Sequence, residues 1–267
     1  MPQREQFSHK GTFGKVLNFA GSDNYIGAAY LSSLAVLKIG AGYVALASDS
    51  NVILSVSKLL PEAVFIKRKK AIDEINKYSV VLIGCGIGQR RQTKFEFKKI
   101  INSAYKYNLP TIIDADGLNI LSELNTKKIN LPQKLVITPH PFEAARLLGV
   151  NSDEILDDLT GSAKKLSEKY NCVTVLKTHR TIICSKNSDM YINEHGNSAL
   201  AKAGTGDVLA GIISGLLAQG MDLFEAAKLG VYLHSRAGEI ASEDLTEYSV
   251  LASDIPKYLP NAIKEIL

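Results

Sequence analysis

The chain has 267 residues, 46% of them hydrophobic and 22% charged, with a formal net charge of +4 at pH 7. This is a globular composition, which excludes a disordered chain, and its mild, dispersed basicity argues against a nucleic-acid partner. The longest nearly uninterrupted apolar run, 208–218, is too short to span a bilayer, so no membrane partner is expected.

The N-terminal stretch MPQREQFSHKG is polar and lacks the apolar core of a secretory signal. Cys85, Cys172 and Cys184 show no CxxC spacing and cannot all pair, so a reduced, cytoplasmic setting is expected. No Pro/Gly/Ser linker or long charge run divides the chain, and residues 1–267 read as a single domain. The one dense basic cluster, KRKK at 67–70, reads as decoration of a solvated edge.

In chain order, KVLNFA (15–20) reads as a strand, and the small-residue segment 25–40 as a helix ending at Gly40. YVALA (43–47) is a strand, 51–60 a helix, and SVVLIG (79–84) a strongly apolar strand. The segment 93–107 has helical amphipathicity, and TIIDAD (111–116) and KLVITP (134–139) read as strands. Pro141 starts a helix that Gly149 stops, and 152–170 reads as one helix with Gly161 as its weak point. Strands follow at 172–177, 181–185 and 190–193, the last two joined tightly enough for a hairpin; from Asp207 onward the pattern is mostly helical.

Strands that are apolar throughout and alternate with helices imply an α/β fold: a mainly parallel sheet covered by helices on both faces, with the hairpin at one edge. Ligands of such sheets bind beyond the carboxyl ends of the strands. The informative residues should therefore lie in Gly84–Gly88, Asp114–Asn119, Thr138–Glu143 and Lys177–Thr181.

Several nucleotide and hydrolase motifs are missing. GCGIGQ (84–89) follows a strand, but Gln89 stands where a dinucleotide fingerprint needs its third glycine. GTFGKV (11–16) has the wrong spacing for a Walker A loop, and neither HExxH nor GxSxG occurs.

The segment ALAKAGTGDVLAGIISGLLAQG (199–220) carries the most information. A helix N-terminus offers free amides and a partial positive charge, and glycines before it let an anion approach. Gly204 and Gly206 supply that freedom, and Thr205 offers a hydroxyl. Asp207 would sit beside a bound phosphate, a repulsive arrangement that makes sense if it takes a proton from an attacking hydroxyl. A plain helix cap accounts for the aspartate equally well, but not for the glycines. Gly211 and Gly215, one turn apart, would let the helix lie close to a neighbour.

AGTGDVLAGIISGLLAQG resembles the glycine-rich turn of the ribokinase-like superfamily. The chain as a whole is similar to the ADP/ATP-dependent NAD(P)H-hydrate dehydratases, through HKGTFGKVLNFAGSDNYIGAAYLSSLAVLKIGAGYV (9–44), GCGIG (84–88), IIDADGLNIL (112–121), ITPHPFEAARLLG (137–149), TVLKTHRTII (174–183), GNSALAKAGTGDVLAG (196–211) and LGVYLHSRAGEIA (229–241). The resemblance implies a ribokinase-like fold. It also implies an ADP-dependent activity on (6S)-NADHX or NADPHX, with ATP as the other possible donor: phosphorylation of the C6 hydroxyl, then loss of phosphate, giving NADH or NADPH and AMP. A different ribokinase-like enzyme, a kinase of a small alcohol or vitamin precursor, shares the GTGD loop.

The same resemblance assigns residues. Asp207 is the base, and the backbone of Gly204, Thr205, Gly206 and Asp207 is the anion hole, with Gly206 also beside the nucleotide. Ala28, Gly86, His140 and Asp207 face the hydrated cofactor. Lys177, Thr178, His179, Arg180 and Thr181 form the nucleotide turn, the side chains of His179 and Arg180 mattering less than their backbone. Glu143 would hold Mg²⁺ through water. Asp114, Asp116 and Asn119 would orient metal or phosphates, although a turn and helix cap explains them too. On the residues alone, Lys177 also fits an ordinary strand-end lysine and His140 a loop histidine. Phe142, Ala203 and Leu200 depart from the family's usual Gly, Gly and Met. Relatives are often tetramers, and the epimerase domain fused in some of them is not expected here; functional coupling to a separate NAD(P)HX epimerase is.

Overall fold

The computed structural model describes residues 1–124 and 129–267. Among them, nine strands form one sheet in the order β3-β2-β1-β4-β5-β6-β7-β8-β9. The strands are β1 (Lys15–Phe19), β2 (Tyr43–Ser48), β3 (Val64–Lys67), β4 (Val80–Ile83), β5 (Thr111–Ile113), β6 (Leu135–Ile137), β7 (Val173–Leu176), β8 (Ile182–Cys184) and β9 (Met190–Ile192). All pairings through β7 are parallel; β8 pairs antiparallel with both β7 and β9. The expected mixed edge is there.

The central strands are buried along their length, as strands covered on both faces must be. Alternate residues point to opposite faces. Val16, Val80, Leu82 and Val136 belong to one core, packed on α1 (Ile26–Lys38) and on the helices of the C-terminal half. Leu17, Val81, Ile83 and Ile137 belong to the other, under α4 (Arg91–Lys106), α5 (Asp116–Glu123) and α6 (Pro141–Leu148). α2 (Ser50–Val56) is shorter than the predicted helix, and α3 (Arg68–Asp73) lies where none was predicted.

Three local expectations change. Edge strand β3 was missed because its apolar run, 63–66, is only four residues long, and within the strand only Ile66 is buried. Helix 152–170 is two helices, α7 (Ser152–Asp157) and α8 (Leu159–Tyr170). The break falls at Asp158, not Gly161. The Asp158 carboxylate accepts the Gly161 amide at 2.8 Å, and a Cβ on Gly161 would lie 2.0 Å from Asp158 Oδ2. The KRKK cluster is only partly a solvated edge. Lys67, Lys69 and Lys70 are exposed, but Arg68 is buried over the Phe19 ring, 3.3 Å from Asp49 and 3.5 Å from Glu96, and donates to the Gly21 carbonyl.

The last three helices are α9 (Thr205–Ala218), α10 (Leu223–Ser249, broken at Thr246) and α11 (Ile255–Lys264). α9 is buried nearly all round because its two interior glycines let α1 close on it. A Cβ on Gly211 would stand 2.3 Å from the Ser32 carbonyl oxygen, and one on Gly215 would stand 2.2 Å from Ile39. Backbone cannot move aside as a side-chain end can. Gly211→Val is therefore expected to destabilise the fold by about 3 kcal/mol, with an apparent α1–α9 separation too large for tight packing. A denaturation midpoint equal to wild type would refute that packing. Among the described residues no helix is long and apolar enough to cross a membrane.

Candidate active site

The loops after β4, β5, β6 and β7 are neighbours because their strands are neighbours. Backbone bonds carry the sheet just past its strand ends: Asp114 N–H to Ile83 O at 3.1 Å, Thr138 N–H to Ile113 O at 3.2 Å, and Lys177 N–H to Pro139 O at 2.8 Å. These bonds put Asp114, Thr138 and Lys177 side by side. Lys177 Nζ lies 2.8 Å from Asp114 Oδ1 and 4.0 Å from Glu143 Oε2. Thr138 Oγ1 donates to the same Asp114 oxygen at 2.6 Å. Burial pulls the Lys177 pKa down, but the Asp114 and Glu143 carboxylates outweigh it and hold the ammonium well above the ordinary range.

The N-terminus of α9 points at this pair. Gly204 starts the turn with φ 95°, open to glycine and strained for other residues. The first amide to close a helical bond is that of Val208, to the Gly204 carbonyl. The Gly206 and Asp207 amides thus lack helical partners and remain for an anion. The Thr205 amide is already bonded to the Lys202 carbonyl at 3.3 Å. Its hydroxyl donates to the Leu200 and Lys202 carbonyls, both at 2.9 Å. Thr205 clasps the loop instead of offering its hydroxyl outward, and its amide is withdrawn from the expected four-amide cradle. A Cβ on Gly206 would stand 3.3 Å from Lys177 Nζ, a tight contact with the paired ammonium.

Asp207 lies against Cys85 and Asp114, with one ligand-type atom of each of the three within 4.8 Å of the others. Burial, together with the Asp114 and Asp116 charges, raises its carboxyl to a pKa of about 7, against the pull of Cys85 and Lys177. A base that titrates near neutrality suits proton abstraction at neutral pH.

A cavity of about 780 Å³ opens beside the helix tip, large enough for a nucleotide. Lys177, Thr178, His179, Arg180 and Thr181 all line it, as does Gly206. The turn is held internally, Thr178 Oγ1 donating to Arg180 O at 2.7 Å and Thr181 Oγ1 to Thr178 O at 3.2 Å. His179 and Arg180 are exposed. His140 lines the cavity while its Nδ1 accepts the Phe142 and Glu143 amides at 3.2 and 3.3 Å, capping α6. Burial and the Lys177 charge lower its pKa, which keeps that nitrogen an acceptor. Phe142 does not disturb the helix start; it stands edge-on to the His140 ring, 58% exposed.

Glu143 accepts the His140 amide on Oε2 at 2.8 Å and has Lys177 at 4.0 Å. A directly bound cation would crowd that ammonium, so Glu143 fits magnesium only through water. Asp116 and Asn119 are occupied structurally: Asp116 accepts the Gly88 amide at 2.8 Å, and Asn119 accepts Arg146 at 2.8 Å. Neither side chain caps α5, whose N-cap is Ala115 without a side-chain bond; both tie α5 to neighbouring segments, whereas Asp114 is paired to Lys177.

Gly86 and Ala28 are neighbours. A Cβ on Gly86 (φ 62°) would lie 2.9 Å from Ala28 Cβ and 2.5 Å from Tyr25 Cβ. A smaller hollow of about 290 Å³ adjoins them, lined by Tyr25, Ile87 and Gly88 among others. Sequence reasoning missed Cys85 and His234. His234, on α10, lines the large cavity with its Nε2 unpartnered, and burial lowers its pKa to about 4. Nothing in its local spacing marks it.

Fold and site together define a ribokinase-like α/β enzyme with a nucleotide-sized cavity at a helix tip. The family model described as NAD(P)H-hydrate dehydratase matches residues 16–261, so the chain belongs to the NAD(P)H-hydrate dehydratase family. It is 36% identical over 243 residues to the ADP-dependent (S)-NAD(P)H-hydrate dehydratase of Neisseria meningitidis serogroup B, covering 90% of this chain and 81% of that one. It is 35% identical to a bifunctional NAD(P)H-hydrate repair enzyme of Coxiella burnetii, covering 97% of this chain; it spans 52% of that relative's length. The crystal structure of the Bacillus subtilis ADP/ATP-dependent NAD(P)H-hydrate dehydratase, co-crystallised with ATP/Mg²⁺, superposes with a TM-score of 0.90 at 33% identity, covering 100% of this chain and 95% of that one.

Proposed function

We propose that the protein is an ADP-dependent (S)-NAD(P)H-hydrate dehydratase that restores NADH or NADPH from the C6-hydrated cofactors. The observation that carries this is the placement of Asp207 against Asp114, the partner of Lys177, one residue on from Gly206, which lines the nucleotide-sized cavity together with Lys177. ADP would lie in the cavity against the 177–181 turn, and the hydrated nicotinamide ring on the Gly86–Ala28 side.

Asp207 takes the proton of the C6 hydroxyl. That oxygen bonds to the terminal phosphorus of ADP, and the P–O bond to AMP breaks with its electron pair leaving on AMP. The Gly206 and Asp207 amides and Lys177 receive the charge of the moving phosphoryl group. The C6–O bond then breaks with its pair leaving on phosphate, driven by the ring-nitrogen lone pair, and loss of a C5 proton restores the dihydropyridine. Mg²⁺, held through water at Glu143, would neutralise phosphate charge. The same reading includes one cytoplasmic domain assembled as a homotetramer, working beside a separate epimerase that supplies the S form.

The test is incubation with hydrated NADH, Mg²⁺ and ADP. NADH absorbance should return with AMP and phosphate formed in equal amounts. A stable phosphorylated alcohol without NADH would instead mark a small-alcohol kinase, and no ADP-dependent reaction would end the proposal.

A further inference from the structure

Cys85 stands in a turn whose shape leaves it little freedom. Gly84 and Gly86 flank it with φ 131° and 62°. A Cβ on Gly84 would meet the Asp114 carbonyl oxygen at 1.8 Å, so the loops after β4 and β5 are locked backbone to backbone. The Cys85 carbonyl is itself held by the Gly21 amide at 2.9 Å. The side chain of Cys85 is fully buried.

This turn aims the thiol at two carboxylates at once. Sγ lies 3.7 Å from Asp114 Oδ2, and Sγ, an Asp114 oxygen and an Asp207 oxygen all fall within 4.8 Å of one another. The other Asp114 oxygen is already taken by Lys177 and Thr138. Among the described residues Asp207 has no ion pair of its own. Its charged neighbours are Asp114 and Asp116, which oppose its ionisation, and Lys177, which favours it but is paired to Asp114. The thiol lies within 4.8 Å of the Asp207 carboxylate while bonded to Asp114, so its S–H stands between the two acids.

We propose that Cys85 is a positioning residue: its S–H, shared between Asp114 and Asp207, keeps the Asp207 carboxylate ionised and turned toward the substrate hydroxyl. This rests on Asp207 being the base. The thiol itself stays protonated, because burial and the same two carboxylates hold its own pKa well above the ordinary value. It is therefore a donor and never a competing nucleophile or base.

The experiment is a pH profile of kcat/KM for wild type, Cys85→Ala and Cys85→Ser, with ADP, Mg²⁺ and hydrated NADH. The position of the acid limb is read, not the height of the plateau, since a merely structural defect lowers the plateau without moving the limb. Loss of one hydrogen bond to a carboxylate is expected to move the Cys85→Ala limb up by about half to one pH unit. Cys85→Ser keeps a donor at the same place and should return the limb to the wild-type position or below it. Coincident limbs in all three proteins would overturn the proposal, as would equal shifts in Ala and Ser. If Cys85→Ala does not fold, the isosteric Cys85→Ser against Cys85→Val carries the same comparison. Asp207→Asn run alongside separates the two claims. If it is inactive while the Cys85 limbs coincide, only the thiol's role is lost. If it is active, the base itself is misassigned.

Discussion

Asp207→Asn should lower kcat/KM by at least about a hundredfold, the lower range of a general-base contribution, while leaving ADP binding nearly intact. The amide keeps the shape of the side chain and the helix tip but cannot accept a proton from the C6 hydroxyl. The wild-type profile should rise through an acid limb at about pH 7, where burial places the Asp207 carboxyl. The same substitution has a stability signature of known sign. The folded pKa lies above the ordinary value of 3.8, so the folded state binds this proton more tightly than the unfolded state does. The stability Asp207 contributes is therefore complete below its unfolded pKa and is lost as pH rises through about 7. Asparagine carries no such penalty. The variant should melt higher than wild type, and the gap should widen from about pH 4 to about pH 8 and then level off. Scanning calorimetry across that range checks the sign; a gap that narrows with rising pH would place the carboxylate in a stabilising environment, contrary to the structure.

Lys177→Met should be the most destabilising change in the site. It leaves Asp114, whose side chain is 2% exposed, without its 2.8 Å partner, and Glu143 without its nearby cation. Removing one member of a buried pair typically costs about 3–5 kcal/mol, because the remaining charge stays desolvated. ADP affinity should fall as well, since the ammonium beside Gly206 is gone. Denaturant melts and ADP titration read the two effects separately. A variant with wild-type stability would mean that the pair in the structure is not formed in solution.

How much of this was legible beforehand differs from residue to residue. Asp207 announces itself because its signal is local: two glycines, a threonine and an acid at the mouth of an apolar helix describe an anion site by themselves. The parallel strands were equally plain, since strands covered on both faces are apolar throughout. β3 was hidden because its apolar run is only four residues long and sits on an edge, with one buried residue in the strand. Lys177 was visible as a strand-end lysine, but its partner Asp114 lies 63 residues earlier and meets it only because β5, β6 and β7 are adjacent. Cys85 depends on the same tertiary accident and carries no spacing signal. Thr205 shows the converse failure. Its position suggested a phosphate donor, but a hydroxyl near backbone carbonyls bonds to them first, and Thr205 does. Arg68 was misjudged with its lysine neighbours because a charge run says nothing of which member turns inward to Asp49 and Glu96.

The most direct test of a phosphoryl group passing to the cofactor hydroxyl at the α9 tip is the fate of that oxygen. Hydrated NADH freshly labelled with heavy oxygen at C6 is turned over with ADP, and the released phosphate is examined by mass spectrometry. One labelled oxygen in each phosphate is the predicted result, because the C6 oxygen leaves bonded to phosphorus. Unlabelled phosphate, with the heavy oxygen in water, would mean that ADP cleavage and dehydration are separate events and that Asp207 does not direct the hydroxyl onto phosphorus.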